Sequence, residues 1–532
     1  MANSRLPIPR RVSRGLALFT VAFLAASWAP GARAQTGAEA RAAARRYREA
    51  REPQILKDFV TLLAMPNVAS NLADVRKNAQ YLAEQLRSRG LAAQLLEVPN
   101  APPAVFAELR APGATRTVVF YAHYDGQPVD PAQWKGAPFT PVLRDKALQQ
   151  GGRDIPFPSA GQRVSGEARV YARSASDDKA SIWAMLTALD AMKAANITPS
   201  VNIKFFFEGE EEAGSGHLGA ILAKYKDTLR ADAWLFCDGP MSPTGEQQVL
   251  FGSRGVVGLE LTVFGPTRPL HSGHYGNWAP NPGALIATLI ASMRDDDGRI
   301  KIANYYDDVR PVTVAERRAI AALPPVDATL RASLGLARTE ANGAVLAERI
   351  MLPALNVRGI RVGGVRETGA NVISTEAYAS FDLRMVPNQR PERVKALVEK
   401  HIAAQGYHIV RDVPDSATRV RFPKIARLEW DAGYPPQRAS LDDAFGRAIV
   451  AAVGEGAVKP PLVVPTSGGS GPGYLFTEIL GAPVVNLPIA NYDNNQHAAN
   501  ENLRLQNLWD GIELYAAVFT RLGKTWAWGV VQ

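Results

Sequence analysis

Residues 201–215 read VNIKFFFEGEEEAGS, an apolar run that stops abruptly in the acids Glu208, Glu210, Glu211 and Glu212. A short run rich in branched and aromatic residues, ended by glycine, predicts a strand. Its unbroken apolar character predicts one covered on both faces. Working outward, the same pattern recurs in TVVFYAH over 117–123, which ends at His123, and in WLFCD over 234–238, which ends at Asp238. It recurs again in PVVNL over 483–487, ahead of the NNQHAANEN loop that carries His497. Helical patterns lie between the runs, and one of them (Ile182, Met185, Leu186, Leu189) begins directly after Asp177 in SASDDKA. Strands alternating with helices predict an α/β domain with a mostly parallel sheet flanked by helices. In such sheets ligands gather at the carboxyl ends of the strands, where residues far apart in sequence converge.

Taken singly, Asp177 or Asp238 reads as a helix cap or turn closer. Two imidazoles, His123 and His497, gathered with the carboxylates Asp125, Asp177, Glu211, Glu212 and Asp238, read differently. This mixed nitrogen and oxygen set suits divalent zinc best, and manganese or cobalt nearly as well. It predicts a hydrolytic site holding two divalent metal ions.

The segments AHYDGQPVD (122–130), WKGAPFTPVLRD (134–145), SDDKAS (176–181), FEGEEEAGSGHL (207–218), LHSGHYGN (270–277), YYDDVRP (305–311) and FDLRMVPNQ (381–389) follow one another in an order that resembles the M20 metallopeptidases. This group includes carnosinase-like dipeptidases, glutamate carboxypeptidases and amino-acid deacylases, and the resemblance is closest to the carnosinase-like branch. It implies that Asp177 bridges two metal ions, with His123 and Asp238 completing one and Glu212 and His497 the other. It implies that Asp125 fixes the tautomer and orientation of His123, and that Glu211 is the general base, taking a proton from a metal-held water and delivering it to the leaving amine. By the same resemblance His271 reaches the active site of a partner subunit in a homodimer. Arg384 binds a substrate carboxylate, a task that suits a planar guanidinium, and Gly469, Ser470 and Gly471 form a substrate-contacting loop. Glu208 and Glu210 read as structural or solvated acids. Where relatives carry Gly-Arg-Gly before the DDK motif and Gly after it, this chain has Ala172, Arg173, Ser174 and Ala180, which predicts that glycine-only backbone conformations are closed there. The segment 147–166, rich in Gly, Pro and Ser, is longer than the family turn and reads as a surface loop placed to narrow the substrate entrance.

Arg5, Arg10, Arg11 and Arg14 precede an apolar stretch from Leu16 to Trp28, and AlaArgAla at 32–34 offers a small-residue cleavage site. This predicts a signal peptide over 1–34, cleaved after Ala34, and a secreted, periplasmic product without a membrane span. Cleavage would leave 55 basic against 51 acidic residues and lower the formal charge from +9 to +4. With no basic tract or aromatic-basic interleaving, nucleic acid is excluded as a partner. The single cysteine, Cys237, rules out an internal disulfide and reads as buried packing.

The expected organisation is a catalytic domain over 35–254 and 428–532, interrupted by a lid and dimerisation domain over 255–427. In the lid a strand at ValGlyLeuGluLeuThrValPhe, a helix after AsnProGly, a helical insertion, two strands, a helix at 391–399 and a last strand at TyrHisIleVal predict a ferredoxin-like α+β sandwich. The function these readings imply is hydrolysis of the amide bond in dipeptides or short peptides with a free carboxylate. An N-acyl-amino-acid amidohydrolase using the same site is the alternative. A noncatalytic scaffold would have lost Glu211 or a ligand, and a solute-binding protein would show two similar lobes; neither feature is present.

Overall fold

The computed structural model describes Met1 and residues 36–341 and 343–526. The expected signal segment lies, apart from Met1, outside the described residues. No helix among the described residues is long and apolar enough to cross a membrane.

An eight-stranded sheet organises the catalytic half, in the order Ala92–Leu96, Ala104–Leu109, Asn202–Glu208, Thr117–His123, Ala233–Phe236, Val484–Asn486, Gln248–Leu250, Leu462–Val464. Its four central strands, from Asn202–Glu208 to Val484–Asn486, run parallel. His123, Glu212, Asp238 and His497 end or follow these strands on their carboxyl side, whereas Asp177 follows strand Arg169–Tyr171 of a separate small sheet and precedes helix Lys179–Ala194. Because His123 pairs in register with Glu208, the His123 side chain and the loop of Glu211 and Glu212 leave the sheet at one level. Alternation explains why the runs are apolar throughout. Phe205 and Phe207 join the core on one face together with Val118, Phe120 and Ala122, while Phe206 packs on the other with Val119, Tyr121 and Trp234. The first face is closed by the helices Gly37–Glu49, Lys179–Ala194 and Leu505–Thr525. Helix Lys179–Ala194 is buried along nearly its whole length, so its first turn, which follows Asp177 and Asp178, is fixed against the sheet.

The second unit is a five-stranded sheet in the order Ala354–Val362, Glu376–Met385, Gly255–Phe264, Ile425–Trp430, His408–Val410. Helices Pro282–Met293 and Pro391–Ala404 cover one face through Ile286, Leu289, Val394 and Val398. The first four strands and two helices give the βαββαβ order of a ferredoxin-like sandwich. The closing strand of that order is Ile425–Trp430, which pairs antiparallel with Gly255–Phe264. His408–Val410, expected to play that part, is an added edge strand lying parallel to it. Its three residues are all only half-buried, the mark of an edge. The boundary placed between 427 and 428 therefore falls inside a lid strand.

The segment 147–166 is a surface loop, as expected, but an anchored one. Asp154–Ile155 pairs with Val142–Arg144 in a small antiparallel sheet that also holds Arg169–Tyr171 and Asn502–Arg504. Ile155, Phe157 and Val164 pack on the core of the helical face, and Arg163 lies 3.7 Å from Glu49. Its apolar residues supply the anchorage that a count of Gly, Pro and Ser conceals.

Candidate metal centre

The side chains that follow the four parallel strands meet, together with Asp177 from just ahead of helix Lys179–Ala194. His123 Nε2 lies 2.9 Å from Asp177 Oδ1 and 3.9 Å from Asp238 Oδ1. His497 Nε2 lies 3.2 Å from both Asp177 Oδ2 and Glu212 Oε2. Asp177 thus stands between the two imidazoles. His123 is fully buried, whereas the His497 side chain is 54% exposed, so the cluster opens to solvent on the His497 side.

Two buried carboxylates outside the cluster shape it. Asp125 accepts the backbone N–H of Glu211 at 3.1 Å and of Glu212 at 3.0 Å, while its Oδ1 stands 3.4 Å from His123 Nδ1. One carboxylate therefore orients an imidazole and fixes the loop that carries the two acids. Glu501 does the same on the opposite side. It accepts from the backbone N–H groups of Ser174, Ser176 and Asp177 at 2.9–3.0 Å and from Arg173 Nη1 at 2.8 Å. Glu501 was not among the residues expected from sequence. Its NNQHAANEN context was legible, but a lone acid four residues past a histidine carries no signal of its own. Ser174, standing where relatives have glycine, adopts φ 62°. The left-handed conformation is therefore kept, and its cost is met by the bond to Glu501 and by Asn67 Nδ2, which donates to Ser174 Oγ at 2.8 Å.

The electrostatics show what the cluster lacks. Burial, aided by the charge of Asp177, pushes the Glu212 carboxyl up to about 8 and that of Asp238 up to about 7. Glu211 is also raised, by burial and, against the pull of His123, by Asp238, Asp177 and Glu212. Burial opposes charge on His123, yet its bonds to Asp125 and Asp177 hold the imidazole well above its ordinary value. Asp177 goes the other way: despite burial, bonds from His123 and His497 hold it well below the carboxylate range. Several acids share one pocket with two imidazoles, and a divalent cation reverses such shifts. The donor set fits one. The ligand atoms of His123, Asp177 and Glu212 lie within 4.8 Å of one another, as do those of His123, Asp178 and Asp238. Asp238 Oδ1 and both carboxylate oxygens of Asp178 are buried without a hydrogen-bond partner. Asp178, unassigned from sequence, is thus a further acid at the centre.

The remaining expected residues divide. Arg384 Nη1 donates to Ser470 Oγ at 3.1 Å and its Nε to Asp382 Oδ2 at 2.6 Å, so a lid strand meets the glycine-rich loop of the catalytic half. Gly469, Ser470 and Gly471 line a cavity of about 300 Å³ that also borders Glu211 and Asp238. His271 lies apart. It is exposed on the lid, its Nδ1 accepting the Gly273 N–H at 3.1 Å and its ring 4.4 Å from that of His274.

Fold and site together define a metal-centred hydrolase on an α/β sheet with a ferredoxin-like lid. The profile of peptidase family M20/M25/M40 matches residues 119–521, and the chain belongs to that family as a peptidase-type hydrolase. It is 28% identical over 437 residues to a human Beta-Ala-His dipeptidase, covering 80% of this chain and 78% of the relative. It is 26% identical over 495 residues to a Cys-Gly metallodipeptidase of Candida albicans, covering 89% and 95%. Its fold superposes on an M20 family metallo-carboxypeptidase from Sulfolobus solfataricus with TM-score 0.69 at 27% identity, covering 88% of this chain and 99% of that one. Human carnosine dipeptidase 1 shares the fold with TM-score 0.68 at 23% identity, covering 91% and 99%.

Proposed function

We propose that the protein is an exported, metal-dependent exopeptidase that hydrolyses the amide bond of dipeptides or short peptides carrying a free carboxylate. The observation that carries this reading is the meeting of His123, Glu212, Asp238 and His497, from the carboxyl side of four parallel strands, with Asp177 ahead of helix Lys179–Ala194 and with Glu211 beside them. The relatives named as dipeptidases support it.

His123 and Asp238 would hold one divalent ion and Glu212 and His497 a second, with Asp177 shared. Bound ions of this kind act as Lewis acids and lower the pKa of water, zinc being the first expectation and manganese or cobalt the others. Glu211 would take the proton of the attacking water and hand it to the leaving nitrogen, so that the amide breaks to a carboxylate and a free amine. Asp125 keeps His123 Nδ1 engaged, which leaves Nε2 as the ligand atom. Arg384, with Ser470, would hold the substrate carboxylate. His271, exposed on the lid, would serve the centre of a second copy in a homodimer, and the basic, apolar N-terminus would direct export to the periplasm.

The test is a screen of the protein lacking residues 1–34 against dipeptides and N-acyl amino acids with added zinc, manganese or cobalt. Elemental analysis should find stoichiometric metal, and chelation should abolish hydrolysis. Activity that survives chelation, or no hydrolysis with any metal, would overturn the reading; acyl amino acids cleaved in preference to dipeptides would move it to the amidohydrolase. For the shared site, mixing inactive Glu211→Gln with inactive His271→Ala protein should restore part of the activity through hybrid dimers.

A further inference from the structure

Glu211 and Glu212, the proposed base and a proposed ligand, ride on a single 3₁₀ turn, Glu211–Ala213. One such turn is too short to hold itself, so its setting depends on what it is tied to. Towards the metal centre it is tied by Asp125, which accepts the N–H groups of both acids. Its outer side has no packing to rely on, since Ala213 and Gly214 are exposed. There the tie is Tyr434, whose hydroxyl donates to the Gly214 carbonyl at 3.0 Å, while the Gly214 N–H donates to the Glu211 carbonyl at 2.8 Å. Two hydrogen bonds thus lead from a phenol to the backbone of the base.

Tyr434 itself has little freedom. It lies where the chain returns from lid strand Ile425–Trp430 to the catalytic half, beside the stretch by which the chain enters the lid. The two stretches form an antiparallel ribbon that pairs Gly252 with Arg438, Ser253 with Gln437 and Val256 with Tyr434, the last through two backbone bonds of 2.8 and 2.9 Å. They approach so closely that a Cβ on Gly255 would stand 2.6 Å from the Tyr434 carbonyl oxygen, and one on Gly433 2.7 Å from that of Val256. The Tyr434 ring stands 5.9 Å from that of Tyr474, just past the loop of Gly469, Ser470 and Gly471. Burial pushes the phenol above its ordinary value and the charge of Glu211 adds to the shift, so the hydroxyl keeps the proton it donates. Resting on the reading of Glu211 as the base, we propose that Tyr434 is a positioning residue for the reaction: its hydroxyl, carried on the ribbon from which the lid hangs, sets the turn and with it the aim of the Glu211 carboxylate. A loosened turn leaves the base present but misplaced, which costs rate rather than binding.

Tyr434→Phe removes the hydroxyl and keeps the ring. In metal-loaded protein, kcat for the dipeptide hydrolysed fastest in the screen above should fall about fivefold, the factor of one neutral hydrogen bond acting on a reacting group, with KM, metal content and melting temperature near the parent's. Parent-level kcat overturns the assignment, and so does a change confined to KM or metal content. The same substitution in Glu211→Gln protein separates positioning from general damage. If Tyr434 acts through Glu211, losing its hydroxyl costs nothing once the base is gone, whereas an equal loss in both backgrounds breaks the link. Hydrogen exchange reads the turn without turnover: protection over 209–216 should drop about fivefold in Tyr434→Phe while helix Lys179–Ala194 keeps its own, and unchanged protection over 209–216 overturns the proposal. The two readings fail separately. Parent-level turnover in Glu211→Gln, or no hydrolysis with any metal, together with a turn loosened by Tyr434→Phe, sinks the reading of the base and keeps Tyr434 as the holder of the turn. A loss of about a hundredfold in Glu211→Gln, with turn and kcat untouched by Tyr434→Phe, does the reverse.

Discussion

Buried acids occur in two regions of this molecule and are treated in opposite ways. At the seam between lid and catalytic half, Glu316 is 2% exposed and fully partnered. It accepts from Arg310, from Arg438 Nη1 at 3.3 Å and from the Thr313 N–H at 2.7 Å, so the chain itself supplies the balancing charge. At the strand ends, Asp178 and Asp238 keep buried oxygens without partners, and Glu212 and Asp238 are pushed far above ordinary carboxylates. The same residue type is a finished structural element in one place and an incomplete one in the other. Incompleteness at the end of a parallel sheet marks the place where a cation belongs.

The seam should fail structurally and the strand ends catalytically. Glu316→Ala leaves Arg438, whose side chain is 2% exposed, buried without its counter-charge, and should destabilise the protein by about 3–5 kcal/mol in denaturant unfolding, the range for breaking a buried pair. Bound metal in the surviving folded protein should stay at the parent level. A loss below about 1 kcal/mol would show that the seam is solvated and the contrast false. At the other pole, Glu211→Gln keeps shape and removes a base. Turnover should fall at least about a hundredfold with metal content and melting temperature near the parent's. Parent-level turnover would assign the base elsewhere.

What was legible in the sequence follows the same division. His123, Glu212 and Asp238 announce themselves because each stands at or just past the end of an apolar run, and a histidine or acid there has few structural reasons to be present. Arg384 and Ser470 were also legible and are brought into contact. The seam was not: nothing in the letters around Glu316 or Arg438 says that two residues more than a hundred positions apart will be buried together. Strand Ile425–Trp430 is cut by the expected boundary because domain membership depends on pairing, here with Gly255–Phe264, and pairing leaves no local mark. Glu501 was missed for a related reason. Its meaning lies in the backbone N–H groups it receives across more than three hundred residues of chain.

Glu501 supplies the next and smaller test, because it stands between the two classes: a buried acid partnered by the chain, yet serving the incomplete cluster. Glu501→Gln keeps its size and one acceptor oxygen but weakens its hold on Ser174, Ser176 and Asp177. Metal affinity should fall about 10–100-fold, as for other groups that orient ligands without touching the metal, and excess metal should recover turnover. Lost turnover at saturating metal, with the fold intact, would mean that Glu501 acts on the chemistry directly.

The smallest effect is expected at Glu208, a buried acid at the catalytic end that neither an arginine nor the ligand cluster claims. Burial pushes its carboxyl up to about 7, although the Tyr121 hydroxyl and Ser215 pull the other way. Its folded value lies above its unfolded one, so between about pH 4.5 and pH 7 the native state holds a proton that the unfolded chain has released. Stability must fall as pH rises through that window. Glu208→Gln cannot ionise, still accepts from Tyr121, and should remove that part of the slope, gaining on the order of 1–3 kcal/mol over the parent at pH 8 relative to pH 5. The check is denaturant unfolding of both proteins at the two pH values with metal present, so that the ligand acids are held ionised throughout. If the difference between parent and variant stays the same at both, Glu208 is ionised in the native state and finds its counter-charge in the bound metal. The line between acids neutralised by a proton and acids neutralised by a cation would then shift by one residue towards the core.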